Sequence, residues 1–256
     1  MSYALRAEWT KLRSLRSTTW LAFAIAAAIV LVTSAAVAGA DVTHCPTPDQ
    51  CFEDIGKLSL KGVWLGQALV VVFAVLAMSN EYGTGMIQTT LVATPRRHKV
   101  LLTKAAVVVA AVLGVGVLGV LGSLAVSRFV LPGNGFSPLS FADGSSWRAS
   151  IGTVLYLGLV ALLSLGLSMV IRDTAGTITA VLALLYIAPV IGALVTDPTW
   201  RERLDEILPM TAGLAIQATR DIAGLPIGPW SGLGVLAAWA AGAMLVGGLL
   251  FAVRDA

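Results

Sequence analysis

The chain has 256 residues, of which 57% are hydrophobic and only 12% charged, and its mean hydropathy is +0.86. Soluble domains carry about a quarter charged residues, so a water-soluble fold of this length would leave too much apolar surface uncovered, and a bilayer is the expected solvent. The pI near 9.1 rests on a net charge of only +3, which argues against nucleic acid as the partner; the basic residues read instead as signals of membrane orientation.

Residues 1–17 open with an amphipathic pattern. Leu5, Trp9 and Leu12 recur at helical spacing, while Arg6, Lys11, Arg13 and Arg16 take most of the other positions. Such a helix lies in the membrane surface, with Trp at headgroup depth and the cations reaching anionic lipid. The alternative is a basic flank that only orients the first span.

Six apolar stretches are long enough to cross a bilayer: 18–40, 61–78, 105–127, 150–171, 174–195 and 230–253. About 20 residues rising about 1.5 Å each cover a hydrocarbon core of about 30 Å. The second stretch is at the short limit. The first, which ends in "SAAVAGA", has a rival reading as a cleaved signal peptide, but its apolar run is too long for one. Strong polar groups inside the spans are few. Gln67 in the second and Ser164 and Ser168 in the fourth are expected to face protein, where each finds a partner. Gln67 either bonds across helices or lines a substrate path. Pro189 is expected to kink the fifth span. The Gly and Ala positions of the third and sixth spans suit close helix packing, across a dimer seam among other places.

Between spans two and three, residues 80–99 form a polar and then basic segment. Met86, Ile87, Thr90 and Leu91 give a short helix one apolar edge, with Thr84 a cap candidate, and Pro95 ends it. Arg96, Arg97, His98 and Lys99 then lead into the third span. A helix across the ends of two spans is a handle by which a soluble partner moves both. The segment 196–229 begins with Thr196 or Asp197 as a cap before Pro198, then carries an apolar stripe of Trp200, Leu204, Ile207 and Leu208 against charged residues on the other face. It reads as an amphipathic helix on the outer surface that ends at Pro209, followed by a more apolar piece, residues 211–223, and a Gly/Pro-rich return through residues 225–229.

With the N-terminus in the cytoplasm, ten Lys and Arg residues fall inside and seven outside, and eight of the ten lie near the ends of the first three spans. Both termini are then cytoplasmic. Cys45 and Cys51 fall outside, where that compartment favours a disulfide between them over two free thiols. Metal-ligand spacing, a catalytic triad order, a zinc-protease motif and a phosphate loop are all missing from the sequence, so an enzyme is a poor expectation.

Glu81-Tyr82, Gly85-Met86-Ile87, Thr89-Thr90-Leu91, Pro95 and Arg97 together resemble a segment of the ABC-2 type transporter permeases. The start "EWTKLRSLRSTTW" is similar to the opening of that family, especially in high-GC Gram-positive bacteria, and the six-span plan extends the likeness over nearly the whole chain. Gly83 departs from it, since the family often carries Arg there. The resemblance implies an all-α integral membrane fold of six transmembrane helices in one domain, residues 1–256, in the bacterial plasma membrane. It implies a permease without its own nucleotide site, paired with a second copy or a similar permease and with separate ATPase subunits that bind ATP and Mg. Glu81, Tyr82, Thr84, Gly85, Met86, Ile87, Thr90, Leu91, Pro95 and Arg97 would form the helix that couples to the ATPase, and the 1–17 helix would lie beside it. Residues 196–229 would fold as short external or re-entrant helices forming an outer gate, or as a loop that only shields the dimer. The expected function is ATP-driven export of a lipophilic or amphipathic compound. The competing expectation is a membrane anchor that recruits a cytoplasmic partner and transports nothing.

Overall fold

The computed structural model describes residues 9–10, 16–40, 54–83, 97–134, 136 and 144–253. Among these residues the structure is helical, joined by turns, with no strand. The elements are α1 (Arg16–Ala38), α2 (Ile55–Ser59), α3 (Val63–Gly83), α4 (Arg97–Val130) with a 3-10 extension (Leu131–Asn134), and α5 (Gly144–Ile171). They continue with α6 (Thr174–Leu182), α7 (Ala188–Ala193), α8 (Pro198–Ile207), α9 (Pro209–Leu214) and α10 (Pro229–Val253).

Five helical runs among the described residues are long and apolar enough to cross a membrane: α1, α4, α5, the continuous α6–α7 run and α10. The apolar part of α3, Val63–Ser79, is shorter. The chain is a multi-pass helical membrane protein by this measure. Its apolar side chains point both ways. Ile25, Val70, Leu157 and Leu236 are buried, while Phe23, Leu118, Ile151 and Leu249 are exposed on the outside of the bundle, as a lipid solvent permits.

Small residues set the helix contacts. In lipid there is little hydrophobic drive between helices, so close backbone approach and packing must supply the association. Ile29 of α1 sits in a hollow made by Gly62 and Gly66 at the start of α3 and by Gly119 of α4. A Cβ on Gly62 would fall 1.9 Å from the Ile29 carbonyl oxygen. The same crossing is tied by the Gly62 amide, which donates to Thr33 Oγ1 at 3.0 Å, and by Ser123 Oγ, which donates to the Ile29 carbonyl at 3.4 Å. The α5–α10 pair meets through Gly166 and Gly247; a Cβ on either would come within 2.5 Å of the other helix's backbone. Gly119 of the third span and Gly247 of the sixth therefore pack within one chain. Gly114, Gly234 and Gly242 have no atom within 4 Å of a Cβ position.

Two corners follow from local chemistry. Arg172 takes a positive φ of 59° after α5, and the Asp173 carboxylate caps α6 by accepting from the Gly176 amide, so α5 and α6 turn back on each other within two residues. The fifth span is interrupted where Pro189 sits, and the form of the interruption is a π-helical turn, Ala183–Ile187. Proline has no amide hydrogen and its ring collides with the carbonyl four residues before it, here that of Leu185, so a widened turn absorbs the conflict.

Candidate functional site

One end of the bundle is closed by residues 198–228. Asp197 caps α8 by accepting from the Thr199 amide at 2.9 Å, and Pro198 occupies the first helical position. The Thr199 hydroxyl, which also donates to this carboxylate, and then the amide hold the exposed Asp197 carboxyl below the usual aspartate range. No residue of α8 is buried; Trp200 and Ile207 are exposed, and Arg203 lies over the Trp200 ring at 5.9 Å. Leu204 and Leu208 lean inward, toward Gly192 of α7. The chain then turns into the bundle. Met210, Ala212 and Gly213 of α9 and Ile216 of the following 3-10 turn (Ala215–Gln217) are buried.

Three glycines make the seat for this inward turn. A Cβ on Gly232 of α10 would lie 2.0 Å from the Ala212 carbonyl oxygen. One on Gly152 of α5 would lie 2.0 Å from Ile216 Cγ1, and one on Gly213 would lie 2.6 Å from the Tyr156 ring. The α9 segment is thus a plug seated between α5 and α10.

A polar node lies under the plug. Gln67 of α3 and Tyr156 of α5 are both fully buried, and the Tyr156 hydroxyl donates to Gln67 Oε1. Gln67 Nε2 donates to the sulfur of Met210 at 3.4 Å. The node therefore joins α3, α5 and α9. Close by, Tyr186 of the π turn donates its hydroxyl to the Trp64 carbonyl and meets the Trp64 ring edge-on at 5.0 Å. Ser164 and Ser168 are buried but spend their hydroxyls on their own helix, donating to the carbonyls of Val160 and Leu165.

A second contact fixes the rim. Asp54, which caps α2 through the amides of Gly56 and Lys57, also accepts from the Thr219 amide, the Thr219 hydroxyl and, at 3.0 Å, the Arg220 amide. Partial burial pushes the Asp54 carboxyl up, and these hydrogen bonds outweigh that effect, leaving it below its ordinary range. From the other side, Arg148 of α5 donates to the Ala218 carbonyl. Segment 218–220 is held between a carboxylate and a guanidinium.

At the opposite end, Lys104 of α4 is buried, and its Nζ donates to the Ala77 carbonyl of α3 at 3.0 Å. This bond ties the two helices that flank residues 84–96. Trp9 lines an apolar groove of about 450 Å³ with Ala22 of α1, Phe73 of α3 and Ala111 of α4. Glu81 and Tyr82 belong to the last turn of α3, and Arg97 is the first residue of α4. Leu5, Leu12, Cys45, Cys51, Thr84, Gly85, Met86, Ile87, Thr90, Leu91 and Pro95 lie outside the described residues, as do the side chains of Glu81, Tyr82 and Arg97. Among the described residues, no three His, Cys, Asp or Glu side chains gather as metal ligands would.

Sequence reasoning singled out Gln67 but missed its partners. Tyr156 and Met210 carry no local signal, being 89 and 143 residues away along the chain. Asp54 was not singled out either; its clasp on Thr219 joins residues 165 positions apart and leaves no local signal. Comparison with protein-family models and with curated proteins finds no match for the chain.

Proposed function

We propose that this chain is the membrane-spanning permease subunit of an ATP-driven exporter of the ABC-2 type, set in a bacterial plasma membrane and working with a second copy or a similar permease. In this reading both termini and residues 80–99 face the cytoplasm, α3 completes a set of six spans, and a separate ATPase subunit grips the 80–99 handle. The observation that carries the reading is α3. It is one continuous helix of 21 residues, bonded to the plug through Gln67 near its start and leading into the handle at its end. Lys104 couples it to α4 just above the handle. A push on the handle would therefore tilt α3 and load the Gln67–Met210 contact directly, a mechanical route from ATP closure to opening of the plugged end. The apolar interior suits a lipophilic or amphipathic cargo.

The test is ATP hydrolysis in proteoliposomes by an ATPase copurified with this chain. Hydrolysis should depend on the chain and respond to amphipathic cargo, and Glu81→Lys should abolish that dependence without affecting insertion. An ATPase whose rate ignores the chain and the cargo would leave the chain as an anchor that recruits a partner.

A further inference from the structure

Beside the plug, on the rim fixed by Asp54, is a cavity of about 600 Å³. Its lining pairs two exposed cations, Lys57 of α2 and Lys61 of the next turn, with the exposed ring of Trp64 and the apolar side chain of Ile227. Gln217 also lines it. That side chain is only 7% exposed, and its Nε2 is buried without a hydrogen-bond partner. A buried amide donor left unmet costs about 1–3 kcal/mol, so an acceptor that reaches Gln217 from the cavity would be favoured there. Asp205 stands on the lining too, a carboxylate that disfavours a second negative charge and accepts from a hydroxyl. Asp54 holds α2 and segment 218–220 together, which fixes the lysine wall against the glutamine wall.

We propose that this cavity binds the headgroup of an anionic phospholipid, with one phosphodiester at Lys57, Lys61 and Gln217, a headgroup hydroxyl at Asp205, and the start of the acyl chains along Trp64 and Ile227. Trp64 opens the apolar stretch of α3, so the cavity lies at the height where a headgroup meets hydrocarbon. The volume suits a headgroup and the first chain carbons. The inference rests on the cavity and not on the transport reading.

The experiment uses the full chain in neutral detergent micelles, titrated with phosphatidylglycerol brominated on its acyl chains and with the matching phosphatidylcholine. The Trp64 signal is taken as the difference between the wild type and Trp64→Phe. Phosphatidylglycerol should quench that signal at about tenfold lower mole fraction than phosphatidylcholine. The exposed pair Lys57→Gln with Lys61→Gln should remove the preference, and Gln217→Leu should weaken it several-fold while leaving phosphatidylcholine unchanged. Equal quenching by both lipids, or a preference that survives the double lysine variant, would overturn the assignment. Displacement of the lipid by millimolar inorganic phosphate would overturn it as well, since a free anion would then suffice.

Discussion

The hydroxyl of Tyr156 donates to the side-chain carbonyl of Gln67, joining α5 to α3 in the interior of the bundle, directly below Met210 of the plug. Removing one partner strands the other in a medium that offers no water. Tyr156→Phe should destabilise the fold by about 1 kcal/mol, in the range of interhelical bonds measured in membranes. Combined with Gln67→Leu, the loss should fall short of the sum of the two single losses. Unfolding in bicelles by a denaturing detergent measures this, and strict additivity would show that the two side chains do not share a bond.

The plug makes a steric prediction with an internal control. A Cβ at Gly232 meets a backbone carbonyl, which cannot swing aside as a side chain would. Gly232→Val should lift α9 from its seat and raise amide exchange over residues 210–217 by at least about tenfold, the equivalent of an overpacking cost of 1–3 kcal/mol. Gly234→Ala, two residues on, meets open space and should leave exchange unchanged. The same exchange rate in both variants would refute the seat.

The clasp at Asp54 depends on pH with a definite sign. Its carboxyl is more acidic in the fold than in the unfolded chain, because donors from Thr219, Arg220 and Lys57 outweigh the effect of burial. Its contribution is complete above about pH 4 and disappears as the pH falls through the lowered folded value. The amides of Thr219 and Arg220 should be protected from exchange at neutral pH and lose protection at acid pH. Asp54→Ala should expose them at every pH, and an acid-insensitive clasp in the wild type would contradict the assignment.

What the sequence made legible is what the bilayer forces on it. Apolar runs of about 20 residues announce themselves, and so do the charged Arg172-Asp173 corner and the Asp197-Pro198 start of α8, because the medium leaves such residues few other places. The break at Pro209 was legible, but the inward turn after it was offered only as one alternative, through the resemblance. Residues 209–217 are apolar enough to be buried but too short to span, and their seat depends on Gly152 and Gly232, whose partners lie far along the chain. Pro189 signalled an interruption, yet whether the helix bends or widens depends on its neighbours, here Tyr186 bonding back to Trp64. Gln67 stood out as a polar residue in a span, and its chemistry could be named only once Tyr156 and Met210 stood beside it.

Lys104 offers a test of the route from handle to plug. Lys104→Met keeps the length of the side chain and removes the bond to the Ala77 carbonyl. Spin labels near the ends of α3 and α4 that flank residues 84–96 should show a broader distance distribution in this variant. In the transport reading, ATP hydrolysis should continue while export falls several-fold. Unchanged export would show that α3 alone carries the motion.

The whole account requires the plugged end and residues 84–96 to lie on opposite sides of a membrane. With Cys45 and Cys51 replaced by serine, single cysteines at Glu202 on α8 and at Thr90 can be probed in sealed cells with an impermeant maleimide. The account predicts that position 202 is labelled from outside and that position 90 is labelled only after the membrane is opened. Labelling of both positions from the same side would contradict it.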